Sequence, residues 1–190
     1  ATVGVVTLQS PGISPSPAVS GMQISVQVSL SAAVPPGRVV EVALTSSVPG
    51  VVSVPPTVLI PAGASSTSFP VVLPVVATDT PVELTATALG AVKTLGFVVE
   101  PLKVRLLTFG RTELQPRVVS SASVELNGPA PAGGASVHVT TGPAAELLYV
   151  DNDRDSFSEI DLVLPQGQSS GTFHVAGLYV DEPTPTTITA

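Results

Sequence analysis

The sequence predicts an all-β protein built as two successive β-sandwiches. Three observations carry that prediction: a phrase that occurs twice, a period-two alternation of apolar and polar residues, and the absence of any segment with convincing helical periodicity. Residues 61–71 read PAGASSTSFPV and residues 165–175 read PQGQSSGTFHV. Pro61, Gly63, Ser65, Ser66, Phe69 and Val71 recur as Pro165, Gly167, Ser169, Ser170, Phe173 and Val175 at a spacing of 104. Pro81, Thr85 and Ala86 recur at the same spacing as Pro185, Thr189 and Ala190. The repeat divides the 190 residues into modules 1–101 and 102–190, each long enough to bury its own core.

Alternation sets the elements. In 22–30, Met22, Ile24, Val26, Val28 and Leu30 share one face while Gln23, Ser25, Gln27 and Ser29 share the other, as in an antiparallel strand with one wet side. The break AAVPPG (32–37) is followed by a strand over 39–44, shorter apolar runs at 51–54 and 57–60, and strands over 66–73, 82–87 and 92–99. VGVVTL supplies a first strand, which makes seven or eight in all. Module two repeats the order: Val124 and Leu126 match Val28 and Leu30, and GPAPAGG (128–134) matches the break. Strands around Val137 and Val139 and over 147–150, 160–164, 171–177 and 185–190 follow. The short Glu100-Pro101 junction predicts a stiff rod. Ala190 aligns with Ala86, so module two is expected to lack its last strand, the counterpart of 92–99. Three explanations fit that expectation: a longer repeat array, closure with fewer strands, or strand donation in trans from a neighbouring chain.

Composition agrees. Hydrophobic residues make up 44 % and charged residues 11 %, so the core is built from Val, Leu, Ile and Ala. The 20 prolines and 16 glycines fall between the apolar runs, as turn punctuation does. With no cysteine there is neither a disulfide framework nor a thiolate site. A net charge of −7 speaks against a nucleic-acid surface, and no apolar run is long enough to insert into a membrane as a helix.

At the residue level the chain resembles the bacterial immunoglobulin-like tandem repeats of secreted and cell-surface proteins. The residues that carry the resemblance are VSLSAAVPPG (28–37) with VLIPAGASSTSF (58–69), and VELNGPAPAGG (124–134) with LVLPQGQSSGTF (162–173). These are turn and core signals. The resemblance implies two tandem immunoglobulin-like sandwiches in an extracellular spacer, stalk or adhesive module. Its partners would be neighbouring repeats of the same protein or other surface and appendage subunits.

One stretch invites a chemical reading. DNDRDSFSEID (151–161) holds Asp151, Asp153, Asp155 and Glu159 at positions 1, 3, 5 and 9, the oxygen-rich alternation that calcium favours. Ser156 stands where an EF-hand loop needs glycine and Leu162 where it needs glutamate, so a site here would be a β-loop site. The competing reading is a solvated acidic hairpin, present only in module two because module one has just PGVVSVPPT there. Tyr149, beside the loop, is the one candidate ligand contact for an adhesive or carbohydrate-binding alternative, possible calcium included; no other cofactor is implied. His138 and His174 sit between core-facing neighbours and so point outward, where they could share a face. Without cysteine or a recognisable nucleophile motif, catalysis is not expected, and the expected role is structural.

Overall fold

The computed structural model of the chain describes residues 6–148, 158–182 and 184–190. It is all-β, with no helix among the described residues, and it divides into two compact units, Ala1–Pro101 and Leu102–Ala190. Each is a two-sheet sandwich of immunoglobulin type.

In the first unit, β1 (Gly12–Ser14), β3 (Gln23–Ser29) and β6 (Ser66–Val72) form one sheet in the order β1–β3–β6. The other sheet runs β2 (Ala18–Val19), β8 (Ala91–Glu100), β7 (Thr80–Ala88), β4 (Val40–Ser46), β5 (Thr57–Ile60). Neighbours are antiparallel except β2 and β8, which pair in parallel through Ala18↔Val99 and Val19↔Glu100. The first edge segment therefore starts on one sheet as β1 and ends on the other as β2. Pro15 and Pro17 lie between them, and residues without an N–H cannot continue a ladder, so the chain leaves one sheet there for the other. Two parts of the expected layout change. The strand expected within VGVVTL reduces, in the described residues, to a single bridge between Leu8 and Leu30, while β1 and β2 lie in a Pro- and Ser-rich stretch that hides their alternation. The apolar run 51–54 is no strand: the N–H groups of Val51 and Val52 both donate to the Val48 carbonyl, closing a turn that drops Val52 fully into the core.

The second unit holds the sheets β12–β14–β10–β9 and β13–β11–β15. These strands are β9 (Val104–Phe109), β10 (Val119–Leu126), β11 (Ala135–Thr141), β12 (Ala145–Leu148), β13 (Glu159–Leu164), β14 (Ser170–Gly177) and β15 (Ile188–Thr189). The registers of the two units superpose residue for residue. Val26↔Phe69 becomes Ala122↔Phe173, and Ile24↔Val71 becomes Ser120↔Val175. Thr45↔Thr85 and Ser46↔Leu84 become Thr140↔Thr189 and Thr141↔Ile188, so β15 occupies the place of β7. No counterpart of β8 is present among the described residues. The second unit also has a strand with no counterpart among the described residues of the first. β12 pairs with the outer edge of β14, in the sheet opposite β11 and β13. The described strands on either side of the acidic segment therefore belong to different sheets and do not pair with each other; the acidic segment itself lies outside the described residues.

The repeated phrase is one device built twice. In the first unit the Ala64 N–H donates to the Pro61 carbonyl across a tight turn, with Gly63 at φ +82° in its third position. That conformation is strained for any residue with a Cβ. The Gly63 N–H then reaches the Val34 carbonyl, and the Val34 N–H donates back to Ala64. The second unit repeats this with Pro165, Gly167 (φ +83°), Gln168 and Ala130. Leu30 and Leu126 extend both clamps by donating to Ser65 and Ser169.

Period-two alternation buries Ile24, Val26 and Val28 on β3, Val82, Leu84 and Ala86 on β7, Val137 and Val139 on β11, and Phe173 and Val175 on β14. Phe173 is fully enclosed, whereas its counterpart Phe69 is only partly buried. We therefore expect Phe173→Ala to cost about 3–5 kcal/mol in urea unfolding, and Phe69→Ala measurably less. Gly167→Ala meets open space, so its penalty should be conformational alone, about 1–2 kcal/mol by the same measurement.

Candidate functional site

The acidic segment can be followed from its C-terminal margin. β11 and β13 pair antiparallel with His138 directly opposite Asp161 and Thr140 opposite Glu159. Alternation turns Val137, Val139 and Ile160 inward, so His138, Glu159 and Asp161 emerge together on the outer face. His138 Nδ1 lies 2.9 Å from Asp161 Oδ1, and His138 Nε2 lies 3.7 Å from Glu159 Oε2. A protonated imidazole donates from both ring nitrogens and can serve both carboxylates at once. All three side chains are more than half exposed, in a setting where such pairs contribute little because water competes for each charge.

Of the residues expected to bind calcium, Asp151, Asp153 and Asp155 lie outside the described residues, as does Tyr149. Glu159 is described, and its carboxylate lies beside His138. Among the described residues no group of three His, Asp or Glu side chains is arranged to hold a metal ion. The idea that the two histidines could share a face is overturned. His138 is on β11 and His174 on β14, strands of opposite sheets, and each points away from the core that separates them. The grouping of His138 with Glu159 and Asp161 was within reach of the sequence. It required the β11–β13 pairing, which alternation alone does not specify.

Two concavities mark the described surface. A shallow depression of about 500 Å³ in the first unit is lined by Ser47, Pro81, Val82, Glu83, Gly96, Phe97 and Val98. It carries one carboxylate, Glu83, whose backbone N–H donates to Ser47 Oγ at 2.9 Å. A smaller cleft in the second unit, about 190 Å³, is bounded by Phe109, Arg111, Leu114, Ser120, Val175 and Ile188 among others.

No protein-family model matches the chain, and no curated protein matches it. Among solved structures, domains 4 and 5 of the S-layer protein SbsC match with 14 % identity and a TM-score of 0.43, over 96 % of this chain and 92 % of that one. The titin domains Z1Z2, solved in complex with telethonin, match with 13 % identity and a TM-score of 0.35, over 97 % of this chain and 100 % of that one.

If the His138 group is an ordinary exposed cross-strand cluster, His138→Ala should change the free energy of unfolding by less than about 1 kcal/mol, read from paired urea titrations. The calcium expectation requires more: a melting temperature raised by calcium over chelator, and lost in Asp153→Asn.

Proposed function

We propose that the chain is a non-catalytic structural module, a spacer or assembly element of a bacterial extracellular or cell-surface protein or appendage. Its partners would be neighbouring repeats or other surface subunits. The observation that carries this reading is the length and continuity of the antiparallel ladders. β7 and β8 pair over nine residues, and β3–β6 and β10–β14 over seven each. Force along such strands must break several hydrogen bonds together before the sandwich opens. The named side chains support the same reading, because they are spent on packing and turns. Ser20 and Ser120 are the buried polar residues among those described. With 11 % charged residues, the chain also presents few basic cleavage points to trypsin-like proteases outside a cell.

Pulling the 190-residue chain in a single-molecule force experiment tests the mechanical part. Two unfolding events are expected, each releasing roughly 30–36 nm of extended chain less the folded span. Extension without a resisting peak would sink the spacer reading. Antibody labelling of intact cells tests the location, and signal appearing solely after permeabilisation would contradict it.

A further inference from the structure

The longest strand of the first unit is also an edge. β8 pairs with β7 from Ala91 to Val99 on one side, while β2 meets only Val99 and Glu100 on the other. Among the described residues no strand pairs with the outer edge of 92–98. The two-residue turn at Leu89 and Gly90 makes Ala88 and Ala91 a hydrogen-bonded pair. The odd-numbered residues of β8 therefore bond to β7, and the even-numbered ones turn their N–H and C=O groups to the outer edge. The Glu100 carbonyl agrees with that phase, since it accepts the Ser20 N–H at 2.8 Å beside β2. Val92, Thr94, Gly96 and Val98 thus present one continuous row of backbone groups.

Side chains along this edge are apolar where water should meet them. Exposed edges are commonly guarded by charge, proline or a bulge. Here Val92 is 62 % and Val98 43 % exposed on the outer face of the sheet, and Gly96 between them has open space above its Cα. On the inner face Leu95 and Phe97, opposite Leu84 and Val82, are only partly buried. Lys93 is the one charge on the row: it lies opposite the buried Ala86, so it turns toward the inner face, yet it is exposed.

We propose that β8 pairs antiparallel with β8 of a second copy of this chain, about a twofold axis at Leu95, joining two five-stranded sheets into one. This register sets Val92 opposite Val98, Thr94 opposite Gly96 and Lys93 opposite Phe97 of the other copy, and symmetry makes each contact twice. All the outward-facing backbone groups of 92–98 then find partners, and the two exposed valines cover each other. The Lys93 ammonium meets the Phe97 ring, whose face attracts a cation. Sliding one copy by two residues would instead set Lys93 against Leu95 or Val99. An inward-turned lysine ordinarily blocks strand addition; here it excludes the other registers and admits the one that supplies a ring. A strand of another protein would have to carry the valine, glycine, ring and lysine in this order, whereas a second copy brings them already placed. The proposal rests on the assembly reading above, and a chain that resists force but stays monomeric would overturn the proposal alone.

Seven paired residues make a small interface, so the dimer is a weak one. Sedimentation equilibrium of the 190-residue protein up to millimolar concentration should show monomer passing to twice the chain mass of 19.1 kDa. Val92→Glu and Val98→Lys, both on the surface, should each weaken the dimer about tenfold at an unchanged melting temperature. The two together should restore it to within about threefold, because the new charges face each other across the axis. The chain has no cysteine, so Leu95→Cys places a lone thiol at the axis, about 4.5 Å from its copy between Cα atoms. It should give a disulfide-linked dimer under mild oxidation, whereas Thr94→Cys, offset from its copy along the ladder, should not. A double variant no better than the single ones, or equal cross-linking at 94 and 95, overturns the proposal. So does a monomer at millimolar concentration, which would leave the edge to a strand of another protein.

Discussion

Both units hang on the same clamp between a Pro-x-Gly turn and the break that follows β3 in one and β10 in the other. The Gly63 N–H reaches Val34 and the Val34 N–H returns to Ala64; Gly167, Ala130 and Gln168 do the same 104 or 96 residues later. Each bond contributes about 0.5–1.5 kcal/mol net, but their geometric effect is larger than their energy. They tie the start of β6 to the end of β3, and the start of β14 to the end of β10, which sets the register of the central pair in each unit. A slip of one residue would turn Val26 and Val28 outward, so fixing that register also fixes which face is buried. The core around Val28, Ile60, Val124 and Leu164 is packed against the clamp in both units, and there it stays apolar and buried in both.

That constraint explains how much of the fold could be read from the sequence. The long strands β3, β4, β6, β7, β10 and β14 are amphipathic over seven residues or more, and their alternation is unambiguous. The turn is equally legible, because glycine at a left-handed position after proline has a steric cause. Short elements behave differently. β1 and β2 have three and two residues among prolines, too few for a period, while Val51 and Val52 mimic a strand although they form a turn whose side chain plugs the core. An apolar residue marks burial, and only a run of alternating ones marks a strand.

The candidate site was less legible for a related reason. Carboxylate spacing along the chain drew notice to residues 151–161, but which groups meet is decided by pairing across strands. The β11–β13 register places Asp161 and Glu159 beside His138, and the sandwich places His174 on the opposite side. The apolar run over 147–150 predicts a strand close to β12, but alternation does not say that this strand pairs with β14 on the far sheet.

Where the two units diverge, they do so in one direction. The clamp end of the core is conserved between the copies, and the far end loses Ile24, Leu73 and Val82 in favour of Ser120, Gly177 and Thr186. A unit stabilised chiefly by its clamp end can tolerate that loss, because burial there already supplies Phe173, Val124 and Leu164 with complete enclosure. Such tolerance frees the far end to be shaped by something other than self-packing. Random drift would scatter polar and small residues over the core. Here they gather at one end of the core, where Gly177 lets the segment at Leu114 and Gln115 approach and Leu114 packs against the core.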